Sequence, residues 1–313
     1  MNLQQLRYIH EVARRGLNVS DAADALFTSQ PGVSKQIRQL ESELGIEIFA
    51  RHGKRLVEVT APGRAVLAVA ERVLRDLDNL QQIGDEFANE AVGELSIATT
   101  HTQARYVLPD VIRRFMLRYP QVRLSLHQGN PQQVCEMVLD GTADIAIATE
   151  AIADYDDLVM LPCYQWNRCV VATPRHPILR ESPLTLEAIA RHPLITYDDA
   201  FTGRGLINKA FLGRGLKPNV VLSAIDSDVI KKYVEMDLGI GILARMAYDP
   251  EEDRRLGMAD ASHLFESSTT RIGLRKRAWL RAYVYAFIEG FAPHLRRPMV
   301  EMALVGGGSD PGL

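Results

Sequence analysis

Apolar residues recur three or four positions apart from the start of the chain. Leu3, Leu6 and Ile9 form the first such stripe, with Arg7, Glu11, Arg14 and Arg15 around it, which is the spacing of an amphipathic helix. Asn18 can cap a second, short helix, and Asp21 three residues on can complete the cap. Ala22, Ala23, Ala25 and Leu26 then supply small, close-packing positions, and Phe27-Thr28 reads as a turn. Ser29 caps a third helix with Pro31 in its first turn, where a missing N–H costs nothing. Val33, Ile37, Leu40 and Leu44 make one apolar face of that helix, and Gly45 is its stop. Ile48-Phe49 and Leu56-Val57 then flank the cationic tip Arg51-His52-Gly53-Lys54-Arg55. Over 62–90, Val66, Val69, Val73, Leu77, Leu80 and Ile83 predict one long helix opening at Pro62-Gly63.

From residue 93 the period changes. Strand-like runs at 95–99, 122–127, 144–149, 169–173, 194–197, 220–224 and 239–243 are separated by helical patterns at 107–119, 132–139, 186–191, 206–214 and 229–236. Strands divided by helices predict parallel sheets covered on both faces. One large sheet or two lobes would satisfy the pattern. Two lobes are favoured, with the chain crossing near 161–166 and returning near 265–272. The expected domains are 1–60, a helix-turn-helix with a hairpin; 61–92, a linker helix; and 93–295, an α/β module. Within the module, lobe I is 93–162 and 268–295 and lobe II is 163–267. Residues 296–313 read as a tail, with a disordered end from Gly306-Gly307-Gly308-Ser309 onward.

Composition changes this picture little. At 313 residues, 47% hydrophobic and 24% charged, the chain is that of an ordinary globular protein. The net charge of -3 argues neither for nor against nucleic acid, since residues 1–60 carry 8 Lys/Arg against 7 Asp/Glu. A DNA-reading role must rest on where the cations sit. The polar side of the third helix carries Gln30, Ser34, Lys35, Arg38 and Gln39, types that bond base edges and phosphates in a major groove. A plain helical hairpin with a solvated face is the competing reading. The basic tip with Arg51 and Lys54, placed directly after the helix like a wing, weighs against it. No signal-peptide pattern and no run near 20 apolar residues is seen, so a cytoplasmic protein with no membrane partner is expected. The three cysteines, Cys135, Cys163 and Cys169, lack CxxC spacing and read as reduced, buried thiols rather than a zinc site or a disulfide frame. No metal site is expected.

The chemistry of the α/β module lies at its strand ends. Thr99, Thr100, His101, Thr102 and Gln103 stand where a strand gives way to a helix, Thr149 ends another strand, and Phe201-Thr202-Gly203-Arg204 precedes a further helix. Ligands of open α/β sheets bind at such ends. Neutral N–H and hydroxyl donors suit a small oxyanion or carboxylate. Each threonine alone is as readily a helix cap. Trp166 would either wall the cleft or fill the core.

The stretch 26–49, with Ser29-Gln30-Pro31-Gly32-Val33-Ser34-Lys35-Gln36-Ile37, Leu40-Glu41 and Leu44-Gly45, resembles the winged helix-turn-helix of LysR-type transcriptional regulators. Thr60-Ala61-Pro62-Gly63 is similar to that family's entry into its linker helix. Gly32, Lys35 and Leu17-Asn18-Val19 depart mildly from the usual pattern. The resemblance implies an all-α winged helix-turn-helix N-terminal domain plus an α/β two-lobed periplasmic-binding-protein-like effector domain. It implies double-stranded DNA as partner through Ser29, Gln30, Pro31, Ser34, Lys35, Arg38, Arg51 and Lys54. It also implies a homodimer paired through the linker helix and assembling to a homotetramer, and contact with RNA polymerase. The runs 99–106, 146–150, 158–164, 201–204 and 291–295 further resemble the branch of that family that activates cysteine biosynthesis. This implies no cofactor, an acetylserine-type inducer opposed by sulfur anions such as thiosulfate, and a sulfate-holding cleft at Thr100, Thr102, Gln103, Thr149 and Thr202. A regulator for another sulfur source, such as sulfonates or alkyl sulfates, fits the same motifs. An enzyme is disfavoured, because no GxSxG, P-loop, GxGxxG after a first strand, or HExxH is present. A solute-uptake binding protein would share the two-lobed fold but not the DNA-reading end.

Overall fold

The computed structural model describes residues 1–53, 55–88, 92–149, 155–198 and 202–306, except for the side chains of residues 75, 81, 82, 85–88, 202 and 203. The chain divides into two compact units, residues 1–88 and 89–313.

The first unit contains α1 (Leu3–Arg14), α2 (Val19–Ala25), α3 (Gln30–Leu44), β1 (Phe49–His52), β2 (Arg55–Val59) and α4 (Ala61–Ala88). Local chemistry sets the helix ends. Asn2 and Gln5 form a reciprocal cap on α1, Asn18 accepts from Ser20 and Asp21 N–H, and the Ser29 hydroxyl accepts from Gly32 N–H. Gly45 closes α3 with φ of 68°, a conformation that favours glycine. Ile9, Val12, Ala22, Val33, Ile37, Leu40, Ile48 and Phe49 form the core. Leu44, expected on the apolar face, is exposed, and the buried member of the last turns is Glu41. The linker-helix stripe also differs from expectation. Val66, Leu67, Ala70, Val73 and Leu74 pack on this unit's own core, while Val69 and Leu80 remain exposed. A helix this close to α1 covers the hydrophobic surface of its own domain first. Gly63 shows how close the approach is: a Cβ there would lie 2.1 Å from the Ile48 carbonyl oxygen.

The second unit opens with β3 (Gly93–Thr99), α5 (His101–Tyr106), α6 (Leu108–Arg118), β4 (Val122–Gln128), α7 (Pro131–Leu139) and β5 (Ile145–Thr149). It continues with β6 (Leu158–Trp166), β7 (Arg168–Ala172), α8 (Leu186–Ala190), β8 (Pro193–Tyr197), α9 (Thr202–Gly213) and β9 (Asn219–Ala224). The remaining elements are α10 (Ser227–Glu235), β10 (Ile240–Ala244), β11 (Gly257–Asp260), β12 (Ser268–Arg275), α11 (Ala282–Phe291) and α12 (Arg297–Leu304). The strands form two five-stranded sheets, ordered β4-β3-β5-β12-β6 in lobe I and β11-β7-β10-β8-β9 in lobe II.

The sheets are mixed rather than parallel. β3 runs parallel to β4 and β5, but β12 is antiparallel to both β5 and β6, and β7 is antiparallel to β10 and β11. The reason is the crossover. The chain leaves lobe I on β6 and returns on β12, and these two strands pair along their whole length. Because β6 stays in the lobe I sheet as far as Trp166, the crossing lies at Asn167, beyond the Pro162 boundary expected from sequence. Large and small residues alternate on β5. Ile145 and Ile147 join the larger core with Phe287 and Ile288, whereas Ala146 and Ala148 let α7 approach through Val134 and Val138. Residues 297–304, read as tail, instead form α12, whose Val300 and Leu304 complete the lobe I core. Residues 307–313, including most of the glycine run, lie outside the described residues.

Candidate functional sites

On the DNA-reading unit, α3 buries Val33, Ile37, Leu40 and Glu41 and turns Gln30, Pro31, Lys35, Arg38 and Gln39 to solvent, with Ser29 exposed at its cap and Ser34 half-buried. The Gln30 amide donates to the Ser34 hydroxyl at 3.0 Å, so the first turn is an ordered polar surface. Neither Lys35 nor Arg38 pairs with a carboxylate among the described residues, which leaves both charges available. Arg51 is different. Its guanidinium meets the Glu41 carboxylate at 2.5 Å and donates to the Phe49 carbonyl. Much of its charge is spent holding the hairpin to α3. Lys54 lies outside the described residues. Phe27, in the turn before α3, is 98% exposed with φ of 49°.

Glu41 is the residue that sequence reasoning missed. Its Oε1 accepts from the N–H groups of Ile48 and Phe49 at 2.9 and 3.1 Å, while Oε2 takes Arg51. One buried carboxylate thereby fixes where the hairpin leaves the recognition helix.

A change of Lys35 to alanine is expected to weaken operator binding by roughly 1–3 kcal/mol and to lower the salt slope by about one charge if the contact is to phosphate. Gel-shift titration at several salt concentrations reads both numbers. Unchanged affinity would remove Lys35 from the interface.

In the second unit, β3, β5 and β12 bring Thr99, Thr149 and Thr270 together at the same end of the lobe I sheet, and α5 starts there. Thr149 and Thr270 are register partners. Thr99 is used structurally, its hydroxyl donating to the Ile147 carbonyl at 2.9 Å. Thr100 is the cap residue of α5, but its hydroxyl makes no capping bond. Thr102 is half-buried in the first turn. Gln103 is fully buried, its amide donating to the Thr270 hydroxyl at 3.2 Å and accepting from the Tyr164 hydroxyl. Of its two N–H donors, only one is left for anything else. The Thr202 side chain lies outside the described residues, although its backbone opens α9.

Lobe II adds two buried polar atoms with no hydrogen-bond partner among the described residues, Trp166 Nε1 and Thr196 Oγ1. Each stands at or next to the end of a strand. Leaving such atoms unpaired costs about 1–3 kcal/mol apiece. Thr196 was not singled out from sequence, where it is one more hydroxyl in an apolar strand. Trp166 also stacks under the guanidinium of Arg168, at 5.1 Å, and Arg168 is fully buried on the Glu266 carbonyl and Ser268 hydroxyl.

The lobes meet through α5 and α10. His101 Nε2 lies 3.0 Å from Asp228, and the Tyr106 hydroxyl donates to the same carboxylate at 2.6 Å. Lys231 stands 3.6 Å from Asp228 and 3.0 Å from Asp253. Burial alone would raise the Asp228 carboxyl, but the bonds from Tyr106 and His101 and the Lys231 charge hold it below the usual carboxylate value. Burial and the neighbouring Asp228 push the Tyr106 phenol well up. His101, Asp226 and Asp228 could offer ligand atoms to an ion. However, Asp226 caps α10, and Asp228 is already gripped by donors. The cysteines are free and buried, and desolvation pushes each thiol up to about 12, away from the thiolate a redox sensor needs.

A helix-turn-helix with a hairpin wing and a two-lobed α/β module together define an effector-sensing transcription regulator, and this chain belongs to the LysR family. Residues 3–64 match the bacterial regulatory helix-turn-helix of that family, and residues 88–296 match its substrate binding domain. The chain is a DNA-binding transcriptional regulator and not an enzyme. It is similar to the HTH-type transcriptional regulator CysB of Burkholderia cenocepacia, at 53% identity over 98% of both chains. It is also similar to SsuR of the same organism, at 55% identity over 94% of this chain and 96% of that one. The solved cofactor-binding domain of the Cbl transcriptional regulator matches with a TM-score of 0.66 at 43% identity, covering 69% of this chain and 95% of that one. Among the described residues, no helix is long and apolar enough to cross a membrane.

Proposed function

We propose that this regulator controls sulfur-assimilation genes from the cytoplasm, reading operator DNA through α3 and sensing a sulfur oxyanion or an acetylserine-type inducer at the strand ends of its α/β module. The observation that carries the sensing half is the donor set. Thr100 and Thr102 offer hydroxyls unspent on the fold, Thr149 lies beside them, and Trp166 and Thr196 hold buried donors without partners. Thr202 and the remaining Gln103 N–H complete the proposed set. Neutral donors suit a desolvated anion, because they bind it without burying a counter-charge. Similarity to CysB supports the cysteine-regulon reading.

Comparable similarity to SsuR supports a second reading, a regulator for sulfonate use. Calorimetry of the full chain with sulfate, thiosulfate, acetylserine and an alkanesulfonate separates them. Binding of acetylserine or thiosulfate supports the first reading, and binding of the sulfonate alone supports the second. If none binds, the sulfur reading fails and only the family remains.

Assembly belongs to the same proposal. Val69 and Leu80 on α4, Leu117 and Leu126 on lobe I, and Leu212, Val221 and Ile225 on lobe II all expose apolar area. Pairing of chains in a homodimer, and of dimers in a homotetramer, would cover such surfaces. An operator with two half-sites and contact with RNA polymerase follow from that arrangement.

A further inference from the structure

Asp228 is the one lobe II carboxylate on which three side chains of α5 converge. The His101 ring and the Tyr106 hydroxyl contact it directly, and the Arg105 guanidinium lies 3.8 Å away. α5 is also the helix that carries Thr102 and Gln103 and is capped by Thr100. Thr102 and Tyr106 are four residues apart, so they stack one turn above the other on the same helix face. Whatever occupies Thr102 therefore lies one helical turn from the grip on lobe II.

The other side of the grip is rigid. Asp228 is in the first turn of α10, where an acidic group is favoured by the helix dipole. Lys231, one turn along, is buried, donates to the Ala247 carbonyl at 3.0 Å, pairs with Asp253, and has its ammonium 5.1 Å from the centre of the Tyr106 ring. Tyr106 is thus held twice by lobe II, at its hydroxyl by Asp228 and at its ring by Lys231. His101 is tethered in turn to lobe I through Gln128 at 3.2 Å.

Resting on the proposal that α5 lines the effector cleft, we infer that Asp228 is a positioning residue that fastens this helix to lobe II, so that effector occupancy and lobe closure are coupled through one carboxylate. It touches no effector itself. Its effect on affinity is through the fraction of molecules whose lobes are closed, since affinity falls in proportion to the binding-competent population.

The sign of the response separates this role from a simple electrostatic one. A carboxylate near an anion site repels the anion, so if field were its only contribution, its removal would tighten anion binding. As a fastener, its removal must weaken binding. In the full chain, Asp228→Ala is expected to lower affinity for whichever panel anion the wild type binds by tenfold or more, with effector-free operator affinity kept within about twofold. Asp228→Asn, which keeps an acceptor for Tyr106 but loses the charge, is expected to fall between. Amide exchange at residues 104–107 is expected to quicken at least tenfold in Asp228→Ala, with α3 unchanged. Tighter or unaltered anion binding overturns the inference, and so does unchanged exchange in α5. If the wild type binds no anion of the panel while exchange in α5 still quickens, the effector reading fails and the fastening of α5 to lobe II stands.

Discussion

Replacing Glu41 by alanine is expected to destabilise the DNA-reading unit by about 3 kcal/mol or more and to abolish operator binding near physiological temperature. The magnitude follows from what the carboxylate does. It is buried, accepts two backbone N–H groups and neutralises a partly buried guanidinium. Removing one partner of such a pair leaves an uncompensated charge and unpaired donors, the costly case among polar substitutions. Glu41→Gln should be milder, because an amide oxygen can still accept from Ile48 and Phe49 while the ion pair is lost. Urea unfolding of the full chain, followed by the ellipticity lost in the first transition, gives the ranking Ala below Gln below wild type. Equal stability of all three would mean that the hairpin is held by its apolar contacts alone.

The second large effect is expected at Thr102. Its hydroxyl makes no hydrogen bond among the described residues, and the side chain is half-buried at the start of α5. Thr102→Ala should therefore leave stability within about 0.5 kcal/mol. Effector affinity should fall at least tenfold, about 1.4 kcal/mol, with loss of the effector response. Gln103→Ala makes the contrast, since its amide bridges Thr270 and Tyr164. That change should cost folding stability as well as binding. Thermal melts beside calorimetric titrations of the two variants test the pair. If Thr102→Ala binds effector as the wild type does, Thr102 faces away from the ligand.

How much of this was legible in the sequence depended on whether the cause was local. Ser29, Pro31 and Gly45 mark the bounds of α3 because caps act within a turn, and the structure ends the helix there. The alternation of strands and helices gave the α/β module and its two lobes. Antiparallel β12 was not legible, because whether a strand runs with or against its neighbour is decided by a partner about a hundred residues away. Short, polar β11 carries no alternation to read. Glu41 and Asp228 look like ordinary solvated charges in sequence. Each acquires its role from groups that reach it across the fold, the hairpin N–H groups in one case and α5 in the other. The helix α12 was missed for the opposite reason: its exposed Met299, Met302 and Val305 blur the buried stripe of Val300 and Leu304.

The contact of Gly63 with the Ile48 carbonyl has a consequence for how such a regulator can adapt. Thr60 donates to the Glu47 carbonyl, Gly63 N–H returns a bond to the Thr60 hydroxyl, and Ala70 is buried two turns further on. Wing, recognition helix and the first turns of α4 therefore move as one piece, with no hinge between the part that reads DNA and the helix that leaves it. At 28 residues, that helix is a lever of about 42 Å. A shift in half-site spacing cannot be absorbed at its base. It has to be met by bending the DNA or by rearrangement beyond Ala88, so insertions into α4 should alter operator choice stepwise, by roughly 100° and 1.5 Å per residue added.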